Sequence, residues 1–310
     1  GAQAFQELRE PGRRIRRHVI EHLDYYLEQL AARVQENGGH VFFALTAEEA
    51  REYVLQVARK HQVKTVIKSK SMVSEELELN EALLREGIRP VETDLGEYIV
   101  QLAGHAPSHI VGPALHMSRE EIAELFSKEA GRPLPADSQA LTAFARERLR
   151  EEFLSADMGI TGCNFAVAEN GAIVLVTNEG NGRMVTSLPP VLVTLMGMER
   201  LVPTMADLDV MLDLLPRSAT GQKASVYNTI TLGTRSPGDP DGPQEFHLVI
   251  VDNGRSNLIG GEFQDALNCI RCGACLNVCP VYRQIGGHAY GWVYAGPIGA
   301  VLTPLYQGFE

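Results

Sequence analysis

Residues 40–68 read HVFFALTAEEAREYVLQVARKHQVKTVIK. The stretch opens on a short apolar run, 40–45 (HVFFAL), of strand length and composition. Thr46-Ala47-Glu48-Glu49 follows as a capping box, in which the Thr hydroxyl and the Glu three residues on satisfy each other's free backbone donors. That box starts a helix to about Lys60. A second apolar run, 63–68 (VKTVIK), completes a strand–helix–strand unit. Its short connections make the two strands members of one parallel sheet covered by helices.

The pattern continues on both sides. Toward the N-terminus, Ile15, Val19, Leu23, Tyr26, Leu30 and Val34 recur at helical spacing and predict one helix from about 13 to 36. Arg13, Arg14, Arg16 and Arg17 cluster at its start, either as a solvated face or as a docking surface for an acidic partner. Toward the C-terminus a helix is expected from about Met72 to Arg85, then strands at 89–92 and 108–112 (SHIVG). A second capping box, Ser118-Arg119-Glu120-Glu121, opens a helix to about Glu129. After the Pro-rich loop 131–137 a charged helix is expected over 138–155. The next block is richer in strands: 160–168, 172–177, 191–195, 224–232 and 245–251, with a helix at 205–215. Glu169-Asn170-Gly171 joins the first two as a hairpin, since Asn-Gly between apolar runs favours that turn. The fold class is therefore α/β, a layered mixed sheet with flanking helices, followed by a C-terminal ferredoxin-like cysteine module. Three units are expected: a helical segment 1–38, an α/β domain 39–252 and an incomplete cluster module 253–310.

The cysteine module rests on Cys269-Ile270-Arg271-Cys272-Gly273-Ala274-Cys275-Leu276-Asn277-Val278-Cys279-Pro280. The spacing C-x2-C-x2-C-x3-C-P is that of a bacterial ferredoxin run holding a 4Fe-4S cluster, in which the fourth cysteine serves a second cluster when two are present. Zinc sites more often use separated C-x2-C pairs or histidines. Cys269, Cys272, Cys275 and Cys279 are thus the expected metal ligands. Cys163, the fifth cysteine, reads either as a small buried residue or as a distant ligand.

With 310 residues the chain can bury a large core. A net charge of −11 argues against nucleic acid or an anionic membrane as the main partner. No apolar run reaches membrane-spanning length and no secretory segment is evident, so a cytoplasmic location is expected.

Two segments beside strand ends could bind ligand. Lys68-Ser69-Lys70-Ser71 leaves a strand and precedes a helix, a place where open α/β sheets bind anions. Asn178-Glu179-Gly180-Asn181-Gly182-Arg183 offers Glu179, Asn181 and the guanidinium of Arg183, although it matches no phosphate-loop pattern. Glu169 on the adjacent turn and Lys68 are the catalytic candidates. Thr93-Asp94-Leu95-Gly96-Glu97 could bring carboxylates to the same cleft, and His105, His109 and His116 lie close in sequence. No G-x-G-x-x-G follows a strand, so no nicotinamide site is expected.

Several of these segments together resemble the LUD-domain iron–sulfur subunits of lactate-utilization systems. The marks are Val91-Glu92-Thr93-Asp94-Leu95-Gly96-Glu97, Pro107-Ser108-His109-Ile110-Val111, residues 159–170 (GITGCNFAVAEN), Asn178-Glu179-Gly180-Asn181, and the cysteine run followed by Gly291-Trp292-Val293-Tyr294. The resemblance implies a fold similar to the ribose-5-phosphate isomerase and CoA-transferase group. It implies an electron-transfer role beside other lactate-utilization subunits in oxidising L-lactate to pyruvate. It also implies a second cysteine run beyond Glu310, so that Cys269, Cys272 and Cys275 would hold one cluster and Cys279 would serve another. Two rival expectations stand beside it: a LUD domain that itself acts on a small carboxylate or phosphate-bearing ligand, and a non-enzymatic scaffold with structural cysteines.

Overall fold

The computed structural model describes residues 2–308. In chain order its elements are α1 (Ala2–Glu21), α2 (Leu23–Glu36), β1 (His40–Ala44), α3 (Ala47–Lys60), β2 (Thr65–Lys68), α4 (Met72–Glu76), α5 (Leu79–Arg85), β3 (Arg89–Glu92), α6 (Leu95–Ala103), α7 (Arg119–Ala130) and α8 (Ser138–Ser155). There follow β4 (Met158–Thr161), β5 (Phe165–Val167), β6 (Ala172–Thr177), α9 (Asn181–Ser187), β7 (Val191–Gly197), β8 (Leu201–Val202), α10 (Met205–Thr220), β9 (Tyr227–Thr231) and β10 (Glu245–Val251). The cysteine module adds α11 (Ala274–Val278), α12 (Pro280–Ile285) and α13 (Gly296–Gln307).

Six strands form one sheet in the order β1-β10-β7-β4-β2-β3, and every neighbouring pair is parallel. A parallel sheet needs cover on both faces, and the two-residue side-chain period supplies it. Val191, Val193 and Leu195 of β7, with Val249 and Val251 of β10, pack under α3 and α5. The alternate residues Leu192, Met196, Phe246, Leu248 and Ile250 pack against α2 and a second sheet. Helices α6, α7 and α8 bury Tyr98, Phe126 and Phe153 near Ile67 and Val91. The second sheet runs β8-β5-β6-β9, with β5 and β6 as the expected antiparallel hairpin. Its other face carries α10 and α1, through Met211, Leu214 and Ile15.

Four expectations need correction. The run 160–168 is two strands: β4 belongs to the parallel sheet and β5 to the second sheet. The chain crosses between them at Gly162-Cys163-Asn164. There a Cβ on Gly162 would lie 2.8 Å from Ser71 Oγ, and Asn164 Oδ1 accepts the Val176 N–H at 2.8 Å. Residues 108–112 form no strand. His109 Nδ1 takes the N–H groups of Val111 (2.9 Å) and Gly112 (3.2 Å), while Ser108 N donates to the Pro113 carbonyl, so these donors are satisfied locally rather than in a ladder. The single helix over 13–36 is broken at His22, which leaves helical geometry (φ −129, ψ 36) and bonds the His18 carbonyl through its ring. The helix over 72–85 is likewise two, turned at Glu78 in left-handed geometry (φ 51).

Candidate functional site

All six parallel strands end on the same edge, and outside carboxyl ends of this kind open α/β sheets place their ligands. Beyond β2, β3, β4 and β7 lies a cavity of about 520 Å³. The loop after β2 contributes Ser69 and Lys70, the loop after β3 Asp94, and the crossing after β4 Cys163 and Asn164. Arg200, three residues past β7, and Arg271 and Cys272 of the cysteine run also line it. The cavity therefore opens directly onto the cluster module.

The expected ligand residues divide here. Ser69, Lys70, Glu179 and Asn181 line the cavity. Lys70 Nζ donates to the Val111 carbonyl at 2.9 Å and sits 3.5 Å from Asp94. Asn181 Nδ2 reaches Thr93 Oγ1 at 3.2 Å, and Glu179 accepts the Leu95 N–H at 3.4 Å. Burial, reinforced by Asp94, raises the Glu179 carboxyl above its usual range. Arg183 is exposed on α9 and lies outside the cavity lining, because 181–187 is a short helix rather than an open loop. Glu169 also lies elsewhere, where its carboxylate accepts the Met205 N–H at the start of α10 (2.6 Å). His105 and His116 bond each other at 3.1 Å, whereas His109 packs edge-on against Tyr282 of the cysteine module, so the three do not converge.

Lys68 is buried behind the cavity. Its ammonium donates to Glu92 and to Asn80, both at 2.6 Å, and lies 3.7 Å from Glu75. The carboxylates of Glu75, Glu92 and Glu97 lie within 4.8 Å of one another. One lysine cannot neutralise three carboxylates away from water. Burial and the charges of Glu92 and Glu75 push Glu97 up to about 9, so it keeps its proton at neutral pH. A carboxyl with a raised folded pKa gives stability that fades as pH climbs from its ordinary value, about 4.3, toward 9. Glu97→Gln, an uncharged isostere, is therefore expected to be more stable than the unaltered chain at pH 8, by on the order of 3–5 kcal/mol. The gap closes near pH 5, and thermal melts across that range measure it.

A second buried network joins the domain to the cysteine module. Arg255, fully buried, makes paired bonds to both Glu76 oxygens (2.8 Å each), and its Nε donates to Glu199 at 2.8 Å. Tyr294 donates to Glu76 at 2.6 Å. Arg271 stacks its guanidinium 4.7 Å from the Tyr294 ring centre and sits 3.7 Å from Glu199. Arg16 of α1 is also buried, not solvated as its basic neighbours are, and ties the Leu201 carbonyl (3.0 Å) to the Leu267 carbonyl (2.8 Å). Burial opposes ionisation of Glu199, but Arg255, Arg200 and Arg271 outweigh it and hold the carboxyl at about 2.

The cysteine run shows what a cluster would need. Arg271 N donates to Cys269 Sγ and Tyr282 N to Cys279 Sγ, both at 3.4 Å. Thus two of the four sulfurs accept a peptide N–H, the kind of donor that thiolates facing a charged cluster require. Gly273 (φ 76) turns the chain where a Cβ would meet Val111 at 3.0 Å. Burial would raise the Cys269 thiol, but Arg271 and Arg200 bring it below the ordinary value. Burial raises Cys272 and Cys275, and the neighbouring Cys269 charge adds to this. Among the described residues no three of the sulfurs lie within 4.8 Å of one another. The residues present fit an iron–sulfur cluster. Cys163 lies on the cavity wall, and burial pushes its thiol up to about 12, so it is uncharged.

Comparison with known proteins agrees with this layout. The LUD domain model matches residues 27–251. The chain belongs to the LUD-domain family. A 4Fe-4S dicluster domain matches residues 265–308, and the cofactor of this LUD-domain protein is an iron–sulfur cluster. Lactate utilization protein B of Oceanobacillus iheyensis is 58% identical over 306 residues, and that of Shouchella clausii 57% over 307. Each match covers 99% of this chain but only 64% and 65% of those relatives, so the chain spans just under two thirds of their length. A solved DUF162 family protein from Deinococcus radiodurans aligns at TM-score 0.41 and 13% identity, covering 74% of this chain and 98% of its own, too distant for any inference.

Arg200 and Arg255 follow strands without any motif around them. Arg271 was visible only as a filler between two cysteines.

Proposed function

We propose that this LUD-domain protein is an iron–sulfur electron carrier in lactate utilization, working beside other lactate-utilization subunits in the oxidation of L-lactate to pyruvate. The observation that carries the proposal is the cysteine run itself: four sulfurs within eleven residues, those of Cys269 and Cys279 each accepting a backbone N–H, set against the buried guanidiniums of Arg271 and Arg200. A cluster bound there would supply one-electron transfer. The chain's own part is to hold the thiolates, offset their negative charge and seat them beside a cavity in the α/β domain. Cys269, Cys272 and Cys275, which sense one another's charge, are proposed as ligands of one cluster. Cys279 instead meets Tyr282 and Tyr290, and is proposed as the ligand free to serve a second. The names of the relatives support the lactate assignment. Among the described residues no helix is long and apolar enough to cross a membrane.

Anaerobic reconstitution with iron and sulfide, followed by visible and electron paramagnetic spectra, tests the reading. The unaltered chain is expected to take up a cluster reducible by dithionite, and Cys272→Ser to lose most of it. L-lactate is expected to reduce the cluster only when the partner subunits are added. A chain that acquires no cluster, or a cluster that stays oxidised in the complete system, would defeat the proposal. Electron transfer surviving in Cys272→Ser would favour the scaffold alternative.

A further inference from the structure

We infer that the cavity between the strand ends and the cysteine run is a binding site for a small hydroxylated monocarboxylate, its carboxylate held by Arg200 and Arg271. The inference rests on the lactate reading proposed above for its choice of probe and goes beyond electron carriage, because binding requires no cluster chemistry. Both arginines are only 8% exposed and both line the cavity. Arg271 Nε and Nη1 are buried without a hydrogen-bond partner, and so is Ser69 Oγ on the facing loop. Buried donors are nearly always satisfied, so three unsatisfied ones at a single cavity call for an acceptor from outside the chain. Charge agrees. Around this point, among the described residues, the buried guanidiniums of Arg16, Arg200, Arg255 and Arg271 face two buried carboxylates, Glu76 and Glu199. A bound carboxylate would balance part of that excess.

The remaining wall selects the anion. Asp94 and Glu179 sit across the cavity, with only Lys70 as a counter-charge near Asp94. A phosphate dianion would meet these carboxyl groups with like charge. A monoanion carrying a hydroxyl can place its carboxylate on the planar guanidiniums and direct its hydroxyl toward the acidic and amide side chains. Asn164 and Asn181 complete that polar face. Cys272 shares the lining, so a ligand held here lies against the cluster-binding run.

Isothermal titration of the 310-residue chain, before and after anaerobic reconstitution, tests the site with L-lactate, acetate and inorganic phosphate. Saturable binding of L-lactate is expected, with acetate and phosphate each weaker by roughly tenfold, reflecting the missing hydroxyl and the repelled second charge. Arg200→Gln is expected to weaken L-lactate by at least about tenfold, through the loss of a charge-assisted pair. Ser69→Ala, a small change that leaves the fold alone, is expected to weaken it about threefold. Arg183→Ala is expected to bind as the unaltered chain does. No saturable heat with L-lactate, phosphate binding as tightly as L-lactate, or Ser69→Ala and Arg200→Gln both titrating like the unaltered chain would overturn the inference. Because the apo chain is titrated as well, failure to assemble a cluster would leave this outcome readable.

Discussion

Arg255→Met is expected to cost the protein roughly 3–5 kcal/mol of stability, the penalty for removing one partner from a buried ion pair and stranding the other. The substitution keeps most of the side-chain volume, so packing changes little. What it leaves behind is Glu76 and Glu199, 5% and 1% exposed, with their principal cation gone. Arg200 and Arg271 sit 3.7 Å from Glu199 and can compensate only in part. Glu76 keeps just the neutral donors Asn253 and Tyr294. In a chain of this size the loss corresponds to a fall of roughly 10 °C in the melting temperature.

The pH dependence identifies the cause. In the unaltered chain burial works against both carboxylates, but Arg255 brings Glu76 below its ordinary value and the three arginines hold Glu199 at about 2. A depressed carboxyl contributes stability that is present above its unfolded pKa, about 4.3, and is lost as pH falls toward the folded value. The unaltered chain therefore loses this contribution between about pH 4.5 and 2. In Arg255→Met the stranded carboxyls take up protons instead. Its deficit is expected to be greatest at neutral pH and to shrink below about pH 4.5. A deficit independent of pH would mean that packing, not charge, accounts for the loss. Since Tyr294 and Tyr306 of the cysteine module rest on this network, through the Glu76 bond and the Arg255 stacking at 4.8 Å, the module is expected to loosen first.

The second large effect is on the cluster's potential. Arg271→Met removes a buried positive charge beside the cysteine run. Reduction adds negative charge to a cluster, so losing that cation disfavours the reduced form and the midpoint potential falls. One unit charge acting across several ångströms at an effective dielectric near 20 is worth about 2 kcal/mol, so a shift of roughly 50–100 mV is expected. Arg271→Lys, which keeps the charge, is expected to recover most of it. A readout without the cluster is also open. Arg271 is the main cause holding the Cys269 thiol below its ordinary value against burial, so alkylation of Cys269 in the apo Arg271→Met chain at pH 7.5 is expected to slow. Equal potentials and equal alkylation rates in both proteins would remove Arg271 from the electrostatics of the run. The residue has left-handed geometry (φ 58), which is uncommon for a side chain of this size, so the backbone is held there at some cost in strain.

Much of this protein was legible one segment at a time. The strand–helix–strand unit at 40–68 has the expected order, and the Ser118 capping box forms as its spacing implied, whereas at Thr46 only the hydroxyl cap forms and Glu49 accepts the Leu45 N–H instead. The Asn-Gly hairpin forms between β5 and β6. Failures came where a local pattern met a competing tertiary demand. The apolar run 160–168 looked continuous, yet two different sheets needed its halves. The segment 108–112 looked like a strand, but His109 satisfied its donors locally. The tail after Gly286 supplies α13 and Tyr294, which close over the buried arginines.

The sequence by itself determined the α/β class and the clustered cysteine run, because both are short-range properties. Helix caps and hydrophobic periods act over a few residues, and four cysteines within eleven residues must curl together whatever surrounds them. Only the tertiary structure decided the cavity and its charge. Arg16, Arg200, Arg255 and Arg271 are separated by tens to hundreds of residues and carry no shared motif. They meet because a parallel sheet gathers its strand ends on one edge, and the cysteine module folds back across that edge. The same topology set Arg183 and Glu169 aside and brought Arg200 and Ser69 to face the cluster run.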